Sequence, residues 1–330
     1  MDYIGNYRTR KLLSVAMKSA RENNKPIPHI LFAGAAGCGK TTLAVKLAEY
    51  ANVKFISALP QSLKTMASII ETLEKLDPTG YTDMGNWIEG IEIKPSIVFI
   101  DEIHNLKPLE VQEWLGIIME DWEIEIASGN TVWFPKFTLV GATTDSGKLS
   151  KPFRDRFKMN FVFKPYTQLE SVQIVLSHAK RLGANIDMPA AQVIAQRGRG
   201  VPRILVGYLE RVIDMAYVQN AKVITESVAK NTFEMLGVDE IGLTETETKI
   251  LKTLDVASAP VGLDNLSIIT NEAPKTILTS IEPYLIQQGL VVRTGKGRAI
   301  TQKGRDHLSK SGKTKVFHKK ELPPGYKRNI

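Results

Sequence analysis

A glycine-rich segment near the start of the chain limits what this sequence can fold into more than any other feature. Residues 34–42 read Gly-Ala-Ala-Gly-Cys-Gly-Lys-Thr-Thr and fit the phosphate-binding loop pattern G-x-x-x-x-G-K-[ST]. Residues 29–33 before the loop are typical of a buried parallel strand, and residues 42–48 after it have helical spacing. Because a phosphate loop lies between a strand and a helix, this context predicts a nucleoside triphosphate site rather than an ordinary glycine-rich turn.

The loop also indicates which residues hold the nucleotide. Its glycines allow consecutive backbone N–H groups to converge on phosphate oxygens, and the helix N-terminus adds its positive end. We expect Lys40 to reach the β- and γ-phosphates and the Thr41 hydroxyl to hold Mg²⁺. The predicted nucleotide contacts in the loop are Gly37, Cys38, Gly39, Lys40, Thr41 and Thr42.

Length, composition and charge indicate the number of domains, the location and the kind of partner of this protein. A length of 330 residues predicts two or three domains. The sequence has no apolar run long enough for a membrane span, and its first residues are not typical of a signal peptide. Its single cysteine fits a reducing compartment, so we expect a cytoplasmic protein. Residues 293–330 hold 12 Lys or Arg and two acidic residues, which gives this segment +10 and leaves −2 for the remainder. Such a basic end predicts a polyanionic partner, most simply nucleic acid, with a solvated charged tail as the alternative.

A second chemical signature follows a wholly apolar strand. Residues 96–100 lead directly into Asp101 and Glu102, which places two carboxylates at the sheet edge where ligands of open α/β sheets bind. We expect Asp101 to hold Mg²⁺ and Glu102 to orient or deprotonate the water that attacks the γ-phosphate. His104 is either a switch group that relays DNA contact or a hydrogen-bonding loop residue. A later apolar strand ends at Thr144, which is placed to contact the γ-phosphate or its water.

The second half of the chain predicts two further units. Four helices are expected between residues 167 and 236, and Arg203 follows Pro202 in the first turn of the third helix. Because a cation there opposes the helix dipole, either a phosphate or a structural ion pair must favour it. From residue 241 onward, helices followed by a basic hairpin are typical of a winged helix. The candidate DNA contacts on this hairpin are Arg293, Lys296 and Arg298.

Several motifs resemble those of the RuvB family of Holliday-junction branch-migration motors, and the similarity spans about residues 3–308. These motifs are Tyr3-Ile4-Gly5, the phosphate loop, Phe99-Ile100-Asp101-Glu102-Ile103-His104, Met119-Glu120-Asp121, residues 137–144, Arg154-Asp155-Arg156-Phe157, Gly200-Val201-Pro202-Arg203-Ile204, Pro260-Val261-Gly262-Leu263 and Glu282-Pro283-Tyr284-Leu285-Ile286-Gln287. The last of them are much more specific than a generic ATPase signature.

The resemblance implies a fold, an activity and an assembly. The implied fold class is α/β, an AAA+ P-loop NTPase core with a parallel sheet, followed by an all-α lid and a C-terminal winged helix. The corresponding domains are residues 1–165, 166–238 and 239–308, and residues 309–330 form a basic tail that we expect to be disordered. Family members hydrolyse ATP with Mg²⁺ and assemble as hexameric rings around duplex DNA.

The resemblance also implies roles for individual residues. Thr144 matches the first sensor, Arg203 matches the second sensor in the lid, and Arg156 matches the arginine finger that reaches a neighbouring subunit's γ-phosphate. Tyr3 and Ile4 match the segment that borders the adenine pocket. A finger supplied in trans is worth on the order of 10³–10⁵ in turnover for related NTPases, so we expect hydrolysis to depend on assembly.

The chain departs from the family pattern in several places. Roughly fifteen to twenty extra residues around 77–94 look like an insertion. A hairpin predicted at residues 122–134 is several residues shorter than the family hairpin, which docks the junction-binding protein RuvA. From the residues alone, this hairpin is either a docking element or a sheet extension. Asp145 stands where the family has an arginine, and the tail is longer and more basic, which indicates a divergent, phage-type member.

Three functions remain to be compared. The leading one is an ATP-driven motor that drives branch migration of Holliday junctions or other branched DNA. A loader of a clamp or replicative helicase shares the Ala-Thr-Thr-Asp run at residues 142–145, but the winged-helix motifs argue against it. A non-enzymatic DNA-binding regulator would have no use for Lys40, Asp101, Glu102 and Arg156 together.

Overall fold

Two compact units make up the chain in a computed structural model, which describes residues 3–81, 88 and 91–311. Contacts group residues 1–225 into the first unit and residues 226–330 into the second. Within the described ranges, no helix combines the length and the apolar content that crossing a bilayer requires.

The first unit contains seven strands among its described residues. They are β1 (Ile30–Gly34), β2 (Phe55–Ala58), β3 (Ile97–Ile100), β4 (Glu123–Glu125), β5 (Thr131–Trp133), β6 (Thr138–Thr143) and β7 (Met159–Phe163). Five of them form a parallel sheet in the order β2-β3-β6-β1-β7, while β4 and β5 pair only with each other as an antiparallel hairpin. The hairpin is therefore not an extension of the main sheet. The sheet order also brings the carboxyl ends of β1, β3 and β6 side by side, at the edge where ligands of such sheets bind.

Helices of the first unit lie between and after these strands. They are α1 (Tyr7–Glu22), α2 (Lys40–Ala51), α3 (Met66–Leu73), α4 (Leu109–Asp121), α5 (Lys151–Asp155), α6 (Gln168–Arg181), α7 (Met188–Arg197) and α8 (Pro202–Val218). The start of α6 is set by a capping box, in which Glu170 Oε2 accepts from the Thr167 N–H at 2.8 Å and the Thr167 hydroxyl accepts from the Glu170 N–H at 3.3 Å.

Apolar side chains cover both faces of the parallel sheet. Leu31 and Val98 belong to a core cluster with residues of α3 and α4. Phe32 and Phe99, their neighbours along the same strands, belong to a second cluster with residues of α1 and α2. Because successive side chains of a strand point to opposite faces, a sheet covered on both sides needs strands that are apolar throughout. This requirement explains why β3 could be predicted from one continuous apolar run.

The part of the predicted insertion that the structure describes is tied to the end of α1. The Asn24 side-chain amide donates to the Ile91 carbonyl oxygen at 3.1 Å, and its oxygen accepts from the Ile93 N–H at 2.9 Å. Arg21 and Glu92 form an ion pair at 3.4 Å beside it. Residues 82–87 and 89–90 of the insertion lie outside the described residues.

The second unit is built from helices and one hairpin. Its elements are α9 (Glu226–Met235), α10 (Glu245–Val256), α11 (Leu263–Thr270), α12 (Pro274–Thr276), a π-helical segment (Ile277–Ile281), α13 (Glu282–Gln287), β8 (Val291–Thr294), β9 (Gly297–Ile300) and α14 (Gln302–Ser311). Leu251, Leu266, Leu285 and Ile300 pack in one core cluster, which joins helices and hairpin into a single body. The helix α9, which the sequence analysis assigned to the lid, groups with this unit.

Two elements of this unit differ from the prediction. The helix expected over residues 273–288 is interrupted by the π-helical segment, which ends just before Pro283. Pro283 lies in the first turn of α13, and because it has no N–H to donate to the Thr279 carbonyl, the regular hydrogen-bond pattern is interrupted before it. The sequence analysis also missed α14, which runs to Ser311, so residues 309–311 of the tail predicted as disordered are helical. Residues 312–330 lie outside the described residues.

Candidate active site

Lys40 is the first residue of α2, and its side chain folds back over the phosphate loop. Its Nζ donates to the Gly34 carbonyl oxygen at 2.7 Å and to the Ala35 carbonyl oxygen at 3.0 Å. The residue is only 5% exposed. Burial lowers the pKa of Lys40, while the Glu102 carboxylate acts in the opposite direction. The ammonium group is therefore held in the loop by two neutral carbonyls, which are weaker acceptors than phosphate oxygens.

Two glycines of the loop have positive φ and closely approach other predicted site residues. Gly37 has φ 77°, and a Cβ at this position would lie 2.8 Å from the Cβ of Arg203. Gly39 has φ 89°, and a Cβ there would lie 2.6 Å from the Tyr3 hydroxyl oxygen. The Arg203 N–H also donates to the Gly37 carbonyl oxygen at 3.3 Å. The loop thus meets the start of α8 and the N-terminal segment.

Thr41 and Asp101 come together between α2 and the end of β3. The Thr41 hydroxyl donates to Asp101 Oδ2 at 3.3 Å, and Asp101 Oδ1 accepts from the Glu102 N–H at 2.9 Å. A hydroxyl and a carboxylate are hard oxygen donors, and Mg²⁺ in nucleotide sites typically takes one or two such ligands together with phosphates and water. These two side chains fit a magnesium site that phosphate oxygens would complete.

Glu102 adopts a left-handed backbone conformation with φ 46°, which costs energy for a residue other than glycine. Its Oε2 accepts from the Thr144 hydroxyl at 2.8 Å and from the Thr144 N–H at 3.2 Å. The side chain is 37% exposed. The residue predicted to handle the attacking water and the residue predicted as first sensor are therefore in direct contact, although they follow different strands.

Arg156 lies at the end of α5 and is held by its own subunit. Its Nη2 pairs with Glu120 Oε2 at 3.0 Å, and its Nη1 donates to the Pro152 carbonyl oxygen at 3.0 Å. The guanidinium passes over Gly116, where a Cβ would lie 3.0 Å from Nε. Its side chain is 22% exposed. Every polar contact recorded for Arg156 within the described residues is made with α4 or α5, not with the phosphate loop.

A tyrosine that the sequence analysis missed joins the N-terminal segment to the loop. The hydroxyl groups of Tyr166 and Tyr3 lie 2.6 Å apart, and the Tyr166 hydroxyl also donates to the Cys38 carbonyl oxygen at 3.4 Å. Burial raises the pKa of both phenols, which keeps them protonated as hydrogen-bond donors. A signal was present, because Tyr166 lies between a predicted strand and a predicted helix start at Thr167, at a predicted domain boundary.

The remaining predicted nucleotide contacts occupy different environments. Cys38 is buried and burial raises the pKa of its thiol, which fits a small space-filling residue. Ile4 is half-buried beside Tyr3, whereas Thr42 is exposed in the first turn of α2.

The three DNA contacts predicted on the β8–β9 hairpin of the second unit differ in their exposure. Arg293 and Lys296 are exposed. Arg298 is 7% exposed, and its Nε and Nη2 donate to Glu282 Oε2 at 3.1 and 2.8 Å. The assignment of Arg298 as a DNA contact is therefore corrected, because its guanidinium is buried in an ion pair that ties β9 to α13. Cationic residues in a hairpin cannot be sorted by composition, since strand alternation and distant partners decide which of them are exposed.

A lysine-bearing loop beside an acidic pair, at the carboxyl edge of a parallel sheet, defines the class of P-loop ATPases. The helices and the winged helix that follow place the chain among the AAA+ members of that class. Residues 1–163 match the family model described as the P-loop domain of the Holliday junction DNA helicase RuvB. Residues 166–239 match the RuvB AAA lid domain, and residues 240–309 match the RuvB C-terminal winged helix domain. The chain belongs to the RuvB family.

Individual relatives agree with this assignment. The chain is 38% identical to the Holliday junction branch migration complex subunit RuvB of Nitratiruptor sp., over 92% of this chain and 88% of that protein. It is 36% identical to the protein of the same name from Pseudothermotoga lettingae, over 93% and 87%. The solved structure of the Thermotoga maritima RuvB Holliday junction branch migration motor is similar with a TM-score of 0.76 and 35% identity, covering 93% of this chain and 95% of that one.

Proposed function

We propose that this chain is an ATPase that works as a ring-shaped DNA motor and drives branch migration of Holliday junctions or other branched DNA. The observation that carries the proposal is that a member of the RuvB family brings Lys40 of the loop, the pair Asp101 and Glu102, and Thr144 to one sheet edge. These are the groups that phosphoryl transfer to water requires.

Nucleotide binding begins at the loop. When a triphosphate enters, the Lys40 ammonium exchanges the carbonyl oxygens of Gly34 and Ala35 for phosphate oxygens, because a charged acceptor binds it more strongly. Mg²⁺, held by Thr41 and Asp101, supplies neutralisation of the phosphate charge when it is bound. Arg203 reaches the nucleotide from the lid side, since its backbone already contacts Gly37.

Hydrolysis depends on Glu102. Its Oε2 is engaged by Thr144, so the other carboxylate oxygen is the one that orients the attacking water. Thr144 can report the state of the γ-phosphate to Glu102 because the two residues share two hydrogen bonds.

In the proposed ring, Arg156 of a neighbouring subunit supplies a further cation to the active site. The Arg156 guanidinium at the end of α5 is partly exposed, and its five N–H donors outnumber its contacts with Glu120 and Pro152. In a hexamer this guanidinium would face the nucleotide of the adjacent subunit and complete the site in trans. ATP hydrolysis would then require assembly.

DNA contact is assigned to the second unit. Arg293 and Lys296 are the exposed cations of the β8–β9 hairpin, and they are proposed to bind phosphates with little base specificity.

A RuvA-like junction-binding protein is proposed to dock on the β4–β5 hairpin, which stands apart from the main sheet. The cytoplasm, where ATP and DNA occur together, is the proposed location.

A loader of a clamp or replicative helicase has less support. Each of the three family models carries a RuvB description, including the one that covers the winged helix over residues 240–309. A strand-displacement assay on four-way junctions separates the two functions. The motor is expected to move the branch point with ATP, whereas a loader alone would leave the junction intact.

Two substitutions test the assignment of the site. Lys40→Ala is expected to lose ATP binding, because the loop then lacks its cation. Arg156→Ala is expected to bind ATP with unchanged affinity yet lose turnover by about 10³-fold or more. Equilibrium binding of a fluorescent ATP analogue and steady-state phosphate release measure the two properties. Arg154→Ala, on the same short helix, is the matched control and should retain most turnover. Full ATPase activity in Arg156→Ala would contradict the trans-finger assignment.

A further inference from the structure

The proposed mechanism assigns no role to His104. It lies in the 3₁₀ turn Ile103–Asn105, which follows the acidic pair directly. The turn is fixed on β6 because Ile103 is fully buried against Gly141, where a Cβ would lie 2.8 Å from Ile103 Cδ1. This close packing of the turn places the His104 imidazole at the ends of β3 and β6.

The imidazole bridges the two strands at this point. Its Nδ1 lies 2.9 Å from Thr143 Oγ1 and 3.2 Å from Glu102 Oε2. Thr143 is fully buried, and its Oγ1 also accepts from the Asp145 N–H at 2.9 Å. The His104 side chain is itself only 9% exposed, so few alternative orientations are open to the ring.

The neighbouring carboxylate favours one tautomer of the ring. A bare Nδ1 would direct its lone pair at a carboxylate oxygen 3.2 Å away, which is repulsive. An Nδ1–H group instead donates to Thr143 Oγ1 and places its partial positive charge near Glu102 Oε2. We therefore assign the proton of the neutral ring to Nδ1 on the basis of this network.

We infer that His104 is a positioning residue that holds the Glu102 carboxylate for catalysis, an inference that rests on the proposed ATPase function. Thr144 supplies two donors to Oε2, and the His104 Nδ1–H lies 3.2 Å from the same oxygen in a charge contact. Every hydrogen bond that the described residues make to this carboxylate falls on Oε2. The group is anchored through one oxygen, and Oε1 is left to orient the water. Of the two roles considered for His104 from the sequence, the geometry favours the hydrogen-bonding one and gives it a specific task.

Turnover by substituted full-length protein, measured with ATP and DNA, tests this role. His104→Leu keeps much of the side-chain volume but removes the N–H beside Oε2, so kcat should fall on the order of tenfold, the lower end of what a hydrogen bond to a charged group is worth. The KM for ATP and the affinity for a fluorescent ATP analogue should stay within about twofold, because His104 does not contact the proposed phosphate site. His104→Asn places an amide N–H near the position of Nδ1 and should recover most of the lost kcat.

His178→Leu is the matched control, since it removes an imidazole from α6 and should leave kcat unchanged. A melting midpoint from circular dichroism checks folding. If His104→Leu does not fold, His104→Ser takes its place in the comparison with His104→Asn. The inference is overturned if kcat is unaffected, if KM rises in parallel with the loss, or if the Asn variant is as slow as the apolar one. An inactive wild-type protein would instead overturn the proposed function.

Discussion

His29 is a buried imidazole that connects three parts of the first unit. Its Nε2 lies 3.0 Å from the Met119 carbonyl oxygen at the end of α4, and its Nδ1 accepts from the Leu139 N–H in β6 at 2.9 Å. Its ring also packs against Trp122 and Phe137, with centroids 5.6 and 5.9 Å away. Burial lowers the pKa of His29 to about 4. The folded protein therefore holds this ring neutral, with the proton on Nε2.

This pKa predicts a loss of stability in acid. In the unfolded chain a histidine titrates at its ordinary pKa of about 6.5, so the unfolded state takes up a proton first as the pH falls. The contribution of His29 is complete above pH 6.5 and declines between pH 6.5 and 4, by up to about 3 kcal/mol. Urea unfolding followed by tryptophan fluorescence measures it in the first unit, because all four tryptophans precede residue 225.

His29→Gln is the control for this experiment, since it cannot titrate in the same range. It should be less stable than wild type at pH 7.5, but its stability should fall less steeply between pH 6.5 and 4. Parallel pH profiles for the two proteins would contradict the assignment of this effect to His29.

Single residues differed in how far the sequence could predict them. Lys40 and Asp101 could be named because each lies in a short local pattern whose chemistry requires that residue type. Arg298 and Tyr166 could not be assigned correctly, because their partners, Glu282 and the loop carbonyl of Cys38, lie 16 and 128 residues away. The contact between Glu102 and Thr144 also depends on strand order, which a local pattern does not contain.

At the level of elements, the β8–β9 hairpin provides a test of DNA binding. Arg293→Ala combined with Lys296→Ala should weaken binding to duplex DNA and reduce the slope of log affinity against log salt by about 2, one for each lost phosphate contact. The loss should be similar for unrelated DNA sequences, because phosphate contacts do not read bases. Fluorescence anisotropy at several salt concentrations measures both properties.

A double variant of α10, Lys249→Ala with Lys252→Ala, removes the same charge and serves as the control. It should change the salt slope less than the hairpin variant does. An unchanged slope in the hairpin variant would remove Arg293 and Lys296 from the proposed DNA contacts.

Elements were predictable where their periodicity was strong. The apolar strands β1, β3 and β6 and the long helices α1 and α8 were found because burial on one or two faces leaves a clear pattern. The last helix, α14, was missed because its sequence Gln-Lys-Gly-Arg-Asp-His-Leu-Ser-Lys-Ser has almost no apolar stripe. It is held by a hydrogen bond between His307 and Asp239 at 2.7 Å, an ion pair between Arg305 and Asp255 at 3.1 Å, and the packing of Leu308 against the core.

For the whole molecule, mixed assemblies test whether the active site lies between subunits. Lys40→Ala and Arg156→Ala are each expected to be inactive alone. When they are mixed in equal amounts, a randomly assembled ring contains intact active sites. About a quarter of its interfaces combine Lys40 from one subunit with Arg156 from its neighbour. The mixture should therefore regain ATPase activity, measured as phosphate release.

The control for mixing is an equal mixture of Lys40→Ala with the double variant that lacks both Lys40 and Arg156, which should stay inactive. If the first mixture also stays inactive although the subunits assemble, Arg156 does not act in trans.

The arrangement of the whole chain was predictable mainly through the family resemblance. Periodicity alone suggested three units, and the motifs supplied their identity. The lid family model over residues 166–239 includes α9, whereas contacts group this helix with the winged helix. Residues 312–330, which carry much of the positive charge, lie outside the described part of the chain.

The ion pair between Arg156 and Glu120 affects how quickly a newly formed interface between subunits should become catalytically active. A long, freely rotating side chain loses up to about 2 kcal/mol of conformational entropy when it is fixed. Here Glu120 and the Pro152 carbonyl have already restricted the guanidinium before any neighbour arrives. In the proposed ring, docking of a second copy would not carry that entropic cost, so we expect catalytic competence to appear at the rate of subunit encounter, without a slower rearrangement afterwards.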